Sequence, residues 1–248
     1  MLHKFLGNPV PWHGHYYCVL ALGLVAALQF VVVWYVKTAS QAGFTLVAVA
    51  VVAYLIKAHK SFVTASSSIF LAVWGVRIAW RGIPVAREDI FQRHPVELAL
   101  NKTLWIWFLS APTVFTASMD IEELSDAPSI LGIALCTLAL IVDSLETYEI
   151  DGTYTRNPYA FCSFSMAWGL FLMQPSRWTV AFPVLFSCIV LFAPGGTLWL
   201  ERKRHANSLM DMKTIAYLKS TSPFIPMPSG TYERLPKYMK RIFCCYAY

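Results

Sequence analysis

Charged residues stand at the ends of several apolar segments of this chain, where their types and spacing could do chemistry. Charged side chains at membrane depth are costly and often mark a site. The bases at these ends are Arg77, Arg81, Arg156, Arg202, Lys203 and Arg204, and the acids are Asp143 and Glu146. A converging ring of bases could hold the phosphates of a nucleotide, with Asp143 pairing a base or holding an amide. The alternative is that the arginines reach out to lipid headgroups and that one acid neutralises them.

The composition indicates what kind of scaffold must position these residues. Of the 248 residues, 57% are hydrophobic and only 14% are charged, and the mean hydropathy is +0.52. These values lie far outside the range of soluble globular proteins and predict an integral membrane protein. Lipid requires that every backbone amide be paired inside a helix or a closed barrel. Because the apolar runs are long and do not alternate with polar residues, we expect an all-α membrane protein.

The apolar runs predict about seven transmembrane helices in one membrane domain that covers residues 1–248. The segments are 16–36, 41–56, 62–80, 103–119, 128–144, 160–174 and 178–199. Several are shorter than the ~20 residues that an upright helix needs to cross a bilayer, so packing inside a bundle must support them. Residues 200–248 form a polar, basic tail, with an interfacial helix expected from about Ala206 to Lys219 and four prolines after it.

The basic residues are distributed very unequally between the two faces that seven spans would create. Sixteen Lys and Arg fall on the face that carries the C-terminal tail, and four fall on the opposite face. This bias predicts that the tail lies on the inner side, in the cytosol or the mitochondrial matrix. The first acid of the chain is Glu88, a pattern compatible with organelle import, so the mitochondrial inner membrane is the expected host and the endoplasmic reticulum the alternative. The basic and aromatic tail predicts contact with lipid headgroups and not with nucleic acid.

The six cysteines give no sign of a metal site or of disulfides. Cys18, Cys136, Cys162 and Cys188 lie within apolar runs, without Cys-x-x-Cys or Cys/His ligand spacing. They are expected to be small buried hydrophobic residues. The Cys244-Cys245 pair lies beside two bases, and it is either a lipidation site or a surface dipeptide without a role.

Three ordered stretches resemble the steroid 5α-reductase superfamily, in particular its broad uncharacterised branch. They are WGVRIAWRGIPVARED from residue 74, VDSLETYEIDGTYTRNPYAFCSFSMAWG from residue 142, and LERKRHANSLMDMKTIAYLKSTSPFIPMP from residue 200. They are similar to that family's W-x-x-R-L, to its A-D followed by Y-S-R-H-P-N-Y-x-G-E and W-W-G, and to its L-E-K-R with Y-x-x-R-T-S-x-F-I-P-x-P. The resemblance implies a seven-helix membrane protein whose inner-face cavity binds NADPH and reduces a conjugated carbon-carbon double bond in a steroid or other lipid.

The resemblance also identifies where this chain departs from the family's chemistry. Trp168 and Gly169 match the family's W-G and set an ungapped register. In that register, the family's proton-donating tyrosine and glutamate are replaced by Ala160 and Ser163. A methyl group cannot donate a proton to a developing enolate, so we expect no catalytic residue at these positions. Tyr159 corresponds to the family's tyrosine only if the register shifts by one residue, which requires a deletion.

The positions that the resemblance assigns to the cofactor are only partly retained. The matching residues are Arg77, Asp143, Arg156, Asn157, Arg202 and Tyr217, with Asn157 standing where the family has His. Ala206 and Met210 replace a His and a Tyr that face the nucleotide in active reductases. Glu146 adds an acid that opposes phosphate. We therefore expect no cofactor, with NADPH as the candidate if the pocket still functions.

Three functional hypotheses remain open at the level of sequence. The first is a degenerate, non-catalytic member of the family that serves as an accessory or scaffold subunit, with lipids and other membrane subunits as partners. The second is a working NADPH-dependent enone reductase whose donor is Tyr159, Tyr154 or a water held by Ser163. The third is a methyltransferase like the isoprenylcysteine carboxyl methyltransferases, whose R-H-P-x-Y motif is similar.

The retained motif also has a purely structural interpretation. Pro158 can start a helix, Asn157 can cap it, and Arg156 can anchor the chain at lipid headgroups. The segment Phe224 to Pro228 can pack the tail against the helices. None of these roles needs a ligand.

Overall fold

The computed structural model describes residues 40–56, 62–81, 104, 106–114, 126–145, 154–173, 175, 179–192, 196–207 and 212–244. Within these ranges the secondary structure is helical, apart from one isolated parallel bridge between Thr155 and Ser222. The helices are α1 Ser40–Ile56, α2 Phe62–Arg81, α3 at 106–114, α4 Asp126–Leu145, α5 Pro158–Met173, α6 Ala181–Phe192, α7 Thr197–Asn207, α8 Met212–Ser220, α9 Ser229–Arg234 and α10 Lys237–Cys244. The predicted all-α class is confirmed for this part of the chain.

Several predicted apolar segments coincide with helices to within a few residues. Segments 41–56, 62–80, 128–144 and 160–174 correspond to α1, α2, α4 and α5 in that order. Segment 178–199 corresponds to α6 and the start of α7, while residues 193–195 lie outside the described ranges. Segment 16–36 also lies outside the described residues, and segment 103–119 is described only in part.

Among the described residues, three candidate spans are long and apolar enough to cross a membrane: Phe62–Trp80, Ala127–Leu145 and Ala181–Lys203, the last of which takes in α6 and the start of α7. Two more helices are apolar but shorter, at Phe44–Leu55 and Pro158–Met173. Large apolar side chains also stand on the outer surface of these helices, and Phe62 and Trp80 of α2 are among the most exposed. Such helices are compatible with an integral membrane protein, and the number of spans stays a prediction.

The chain divides into two compact units, and the first comprises residues 1–136 and 167–186. Here α1 packs along α2, and the buried residues include Leu46 and Ala50 of α1 and Leu71 and Trp74 of α2. Every fourth residue or so faces inward because an α-helix turns once in 3.6 residues.

Two glycines of the first unit let α4 and α5 approach closely. A Cβ atom at Gly169 would lie 2.5 Å from Cys136 Sγ and 2.8 Å from the Gly132 carbonyl oxygen. A Cβ atom at Gly132 would lie 2.6 Å from the Gly169 carbonyl oxygen. Ser129 Oγ donates a hydrogen bond of 3.2 Å to the Met173 carbonyl at the same crossing. Small residues at helix crossings are the usual means of close packing in membranes, so Gly169 of the Trp-Gly motif has a packing role.

The second unit comprises residues 137–166 and 187–248. Its buried side chains include Leu218, Phe224 and Tyr232, which come from α8, from the irregular segment after it, and from α9. The Phe224 ring packs edge-on against Phe161 and Phe164 of α5, with centroid distances of 5.9 and 5.5 Å. The segment after α8 therefore packs against a helix, as the structural interpretation predicted.

The interfacial helix predicted from Ala206 to Lys219 begins later than expected. Helix α7 continues to Asn207, and α8 begins at Met212. Leu, Glu, Arg, Lys and Ala are strong helix formers, so the basic run after Glu201 extends the preceding helix and does not start a new one.

Candidate functional site

The turn before α5 is joined by its backbone to the segment that follows α8. Arg156 N–H donates to the Ser222 carbonyl at 2.8 Å, and Met227 N–H donates to the Tyr154 carbonyl at 3.0 Å. The Thr155 hydroxyl, which is buried, donates to the Phe224 carbonyl at 2.9 Å. These bonds join residues 154–156 to residues 222–227, and the pairing of Thr155 with Ser222 is an isolated parallel bridge.

Helix α5 starts at Pro158, as the sequence predicted. Proline suits the first helical position because its ring fixes φ near the helical value and the missing N–H has no intrahelical partner there. The Asn157 carbonyl accepts the first bond of the helix from Phe161 N–H at 3.2 Å. The chain therefore enters α5 directly from the hydrogen-bonded turn.

Arg156 is buried, and its guanidinium forms an ion pair with the carboxylate of Glu201 on α7. Each of the two residues is only 1% exposed. Two charges removed from water are tolerated only when they are paired and further hydrogen-bonded. The interpretation of Arg156 as a headgroup anchor is therefore wrong, because Glu201 supplies the counter-charge inside the protein.

Asn157 donates a hydrogen bond to the same carboxylate. Its Nδ2 donates to Glu201 Oε1 at 3.2 Å and to the Pro223 carbonyl at 2.8 Å. One carboxylate oxygen of Glu201 thus accepts a hydrogen bond from Arg156, and the other accepts one from Asn157. We call Arg156, Asn157 and Glu201 the buried triad.

Glu201 is the member of the triad that sequence reasoning missed. It is the single acid at the start of the run Glu201-Arg202-Lys203-Arg204, directly after an apolar segment. Thr197, one turn earlier on α7, is also buried, whereas Arg202 is exposed. The sequence does contain a signal for this role, because an isolated acid among bases at the end of an apolar segment indicates that its charge has a specific partner.

A second polar cluster lies at the start of α5. Tyr159 and Ser163 lie one turn apart on α5, and the charge of Asp143 on α4 acts on Tyr159. Ser163 is fully buried, and Asp143 and Tyr159 are half-buried. Ala160 lies beside them on α5 and offers only a methyl group. The structure thus brings together one predicted cofactor residue, Asp143, and the substitute donor Tyr159.

The other predicted cofactor residues lie on other helices. Arg77 is half-buried on α2, in the first unit. The Arg202 side chain is exposed on α7. Tyr217 is half-buried on α8, where its carbonyl accepts bonds from Thr221 N–H at 3.0 Å and from the Ser220 hydroxyl at 3.2 Å. Glu146 and Met210 lie outside the described residues, as does the side chain of Ala206.

His205 lies one turn after Glu201 on α7, beyond the candidate span that ends at Lys203. Partial burial lowers the pKa of His205, the Glu201 carboxylate opposes this shift, and the Arg156 charge adds to it. The neutral imidazole is therefore the form that the fold favours.

No three His, Cys, Asp or Glu side chains come together as a metal ion would require, within the ranges the structure describes. Comparison of the chain with protein-family models, with curated proteins and with solved structures finds no match. The resemblance to the steroid 5α-reductase superfamily therefore depends on the three sequence stretches alone.

Proposed function

We propose that this protein is a non-catalytic membrane scaffold, derived from a steroid 5α-reductase-like ancestor, that serves as an accessory subunit of a larger membrane complex. The observation that supports the proposal best is the buried triad. The side chains of Arg156 and Asn157, which the resemblance assigns to a cofactor, make their bonds to Glu201 and Pro223. These residues therefore have a structural task that accounts for their presence.

The electrostatics of the triad disfavour a second use of Arg156 as a phosphate ligand. A phosphate bound at Arg156 would bring further negative charge close to the buried Glu201 carboxylate. Repulsion between like charges opposes such binding. Arg202, by contrast, is exposed and would bind phosphate only as a surface charge.

The residues at the family's proton-donor positions also support a non-catalytic role. Enone reduction needs a group that gives a proton or hydrogen bond to the developing enolate. Ala160 has no such group, whereas the residues that make up the framework of the motif are kept. Pro158 starts α5, and Gly169 permits the close crossing of α4 and α5.

The proposed host is a multi-subunit complex of the mitochondrial inner membrane, with the C-terminal tail on the matrix side. The acid-free stretch before Glu88 and the bias of basic residues toward the tail support this location. The exposed apolar side chains of α2 and α4, such as Trp80 and Ile130, offer surfaces that lipid or other subunits can cover.

Native purification tests this proposal. The protein is extracted from its own membrane in a mild detergent and followed by native electrophoresis and mass spectrometry. We expect it to migrate with a stable set of other membrane proteins, far above its own 28.0 kDa. A solitary protein that carries a bound nucleotide would contradict the proposal.

The second candidate is an NADPH-dependent enone reductase, and the Tyr159 cluster is the observation that favours it. NADPH would supply the hydride. The Tyr159 phenol, beside Ser163 and near Asp143, would donate the proton to the carbonyl oxygen of the substrate.

Two measurements distinguish this alternative. Purified protein is mixed with millimolar NADPH and a panel of steroid and lipid enones, and the loss of reduced nicotinamide absorbance is followed. The alternative requires turnover that Tyr159→Phe abolishes while Tyr154→Phe, at an exposed neighbouring position, retains it. Absence of both nucleotide binding and turnover would eliminate it.

A further inference from the structure

The net charge of this protein is concentrated in its C-terminal residues. Residues 201–248 contain nine Lys and Arg against three Asp and Glu, whereas residues 1–200 contain eleven of each kind. The formal charge of +6 therefore belongs entirely to the last 48 residues. These residues begin at the end of the candidate span Ala181–Lys203, so the charge lies close to where a membrane surface would be.

Helix α10, Lys237–Cys244, separates basic from apolar positions around its axis. The helical repeat places Lys237 and Lys240 on one side and Tyr238 and Met239 on the other. Lys237 and Tyr238 are both exposed, and Tyr238 is 62% exposed. A helix with a basic face and an aromatic apolar face is typical of segments that lie in a membrane interface.

Contacts with α9 hold the first turn of α10 in place. Lys240 Nζ lies 4.6 Å from the centroid of the Tyr232 ring and donates to the Glu233 carbonyl at 3.2 Å. Tyr232 itself is 1% exposed and so belongs to the packed interior of the second unit. A two-turn helix is not stable alone in water, so this attachment is what presents α10 as a preformed surface.

We propose that α9 and α10 form a binding surface for anionic phospholipid headgroups, which we call the C-terminal basic surface and define by Arg234, Lys237 and Lys240. Arg234 and Lys237 are exposed, and the position of Lys240 is set by Tyr232. Charge complementarity selects the occupant, because the basic residues attract an acidic leaflet while Tyr238 enters the interface beside them. This surface is separate from the buried triad and goes beyond the scaffold role proposed above.

Hydrogen exchange of the full-length protein in lipid nanodiscs tests the proposal. One set of discs contains phosphatidylcholine alone, and the other contains phosphatidylcholine with phosphatidylglycerol. We expect the amides of residues 237–244 to exchange much more slowly in the anionic discs and to lose this protection when the salt concentration is raised.

A matched pair of variants separates charge from packing. The double variant R234Q/K237Q removes two charges and should reduce the protection in anionic discs by about 30-fold, since each base near such a surface contributes a factor of roughly five. The control R234K/K237R keeps both charges and should retain the protection. Equal protection in the two kinds of disc, or protection that survives in R234Q/K237Q, would overturn the proposal. So would protection that arises only with co-purified proteins and not with lipid, because the surface would then bind a protein partner.

Discussion

At the scale of single residues, the buried triad shows how one carboxylate can account for two residues of a motif. Glu201 neutralises Arg156 and accepts a hydrogen bond from Asn157, so each oxygen of the carboxylate has a partner. Asn157 in turn reaches the Pro223 carbonyl, which ties the triad to the segment after α8. Two residues of the motif, Arg156 and Asn157, thus have structural partners in this chain.

The first prediction concerns the loss of the buried counter-charge. Glu201→Gln leaves the Arg156 guanidinium buried without its carboxylate and should destabilise the protein by about 3 to 5 kcal/mol. The measurement is thermal unfolding of the purified protein in detergent. Glu233→Gln, an exposed acid on α9, is the control and should change stability by no more than about 0.5 kcal/mol.

A paired substitution checks that the loss comes from the unpaired charge. The double variant R156M/E201L removes both charges together and should be more stable than Glu201→Gln, because a buried ion pair can often be replaced by apolar residues at little cost. If the double variant were less stable than the single one, the pair itself would be stabilising and the argument would fail.

The second prediction concerns pH. Because the fold lowers the pKa of His205 below its value in the unfolded chain, the unfolded state takes up this proton first as the pH falls. The contribution of His205 to the free energy of unfolding is therefore fully present above the ordinary pKa of histidine, near 6.5. It declines as the pH drops from there through the lower pKa of the folded state. In melting curves recorded at a series of pH values, His205→Gln should lose less stability than the wild type between neutral and mildly acidic pH. Parallel curves for the two proteins would contradict this assignment.

At the scale of elements, the crossing of α4 and α5 in the first unit depends on the absence of two side chains. Gly132 and Gly169 face each other so closely that a Cβ atom on either would meet backbone atoms. Backbone atoms cannot move aside as the end of a flexible side chain can. Gly169 of the Trp-Gly pair, which carries part of the family resemblance, is thus also a requirement of helix packing.

The third prediction follows from this crossing. Gly169→Ala should destabilise the protein by about 1 to 3 kcal/mol through overpacking, even though alanine is the better helix former. Gly230→Ala is the matched control, because Gly230 lies on α9 with open space around it. There the change should be neutral or slightly stabilising. Thermal unfolding compares the two variants, and equal effects would show that the crossing is not tight.

At the scale of the whole molecule, the prediction concerns NADPH. A ligand that binds the folded state at a concentration about 100 times its dissociation constant stabilises that state by about 2.7 kcal/mol. For a chain of this size, such a gain would raise the melting temperature by roughly 5 to 10 °C. If the protein is a scaffold without a cofactor pocket, millimolar NADPH should leave the melting temperature unchanged. A rise of several degrees would favour the reductase alternative.

The sequence by itself determined the helical class and most of the helix positions in the described ranges. Apolar runs without alternation predicted α1, α2 and α4 to within a few residues, and Pro158 marked the start of α5. These features are local, because hydrophobicity and backbone preference act over a few turns of one helix. The later start of α8 was missed because favourable helix formers continue past the apolar run.

Only the tertiary structure decided which polar residues meet. Arg156 and Glu201 are separated by 45 positions, and Thr155 and Phe224 by 69. The contact of Gly132 with Gly169 likewise joins two helices that are separated in the sequence by a long connection. No local pattern specifies such partners, since they depend on the path of the chain between them. The sequence therefore indicated residues that needed partners, and the fold decided that the carboxylate of Glu201 and the carbonyl of Pro223 would serve Arg156 and Asn157.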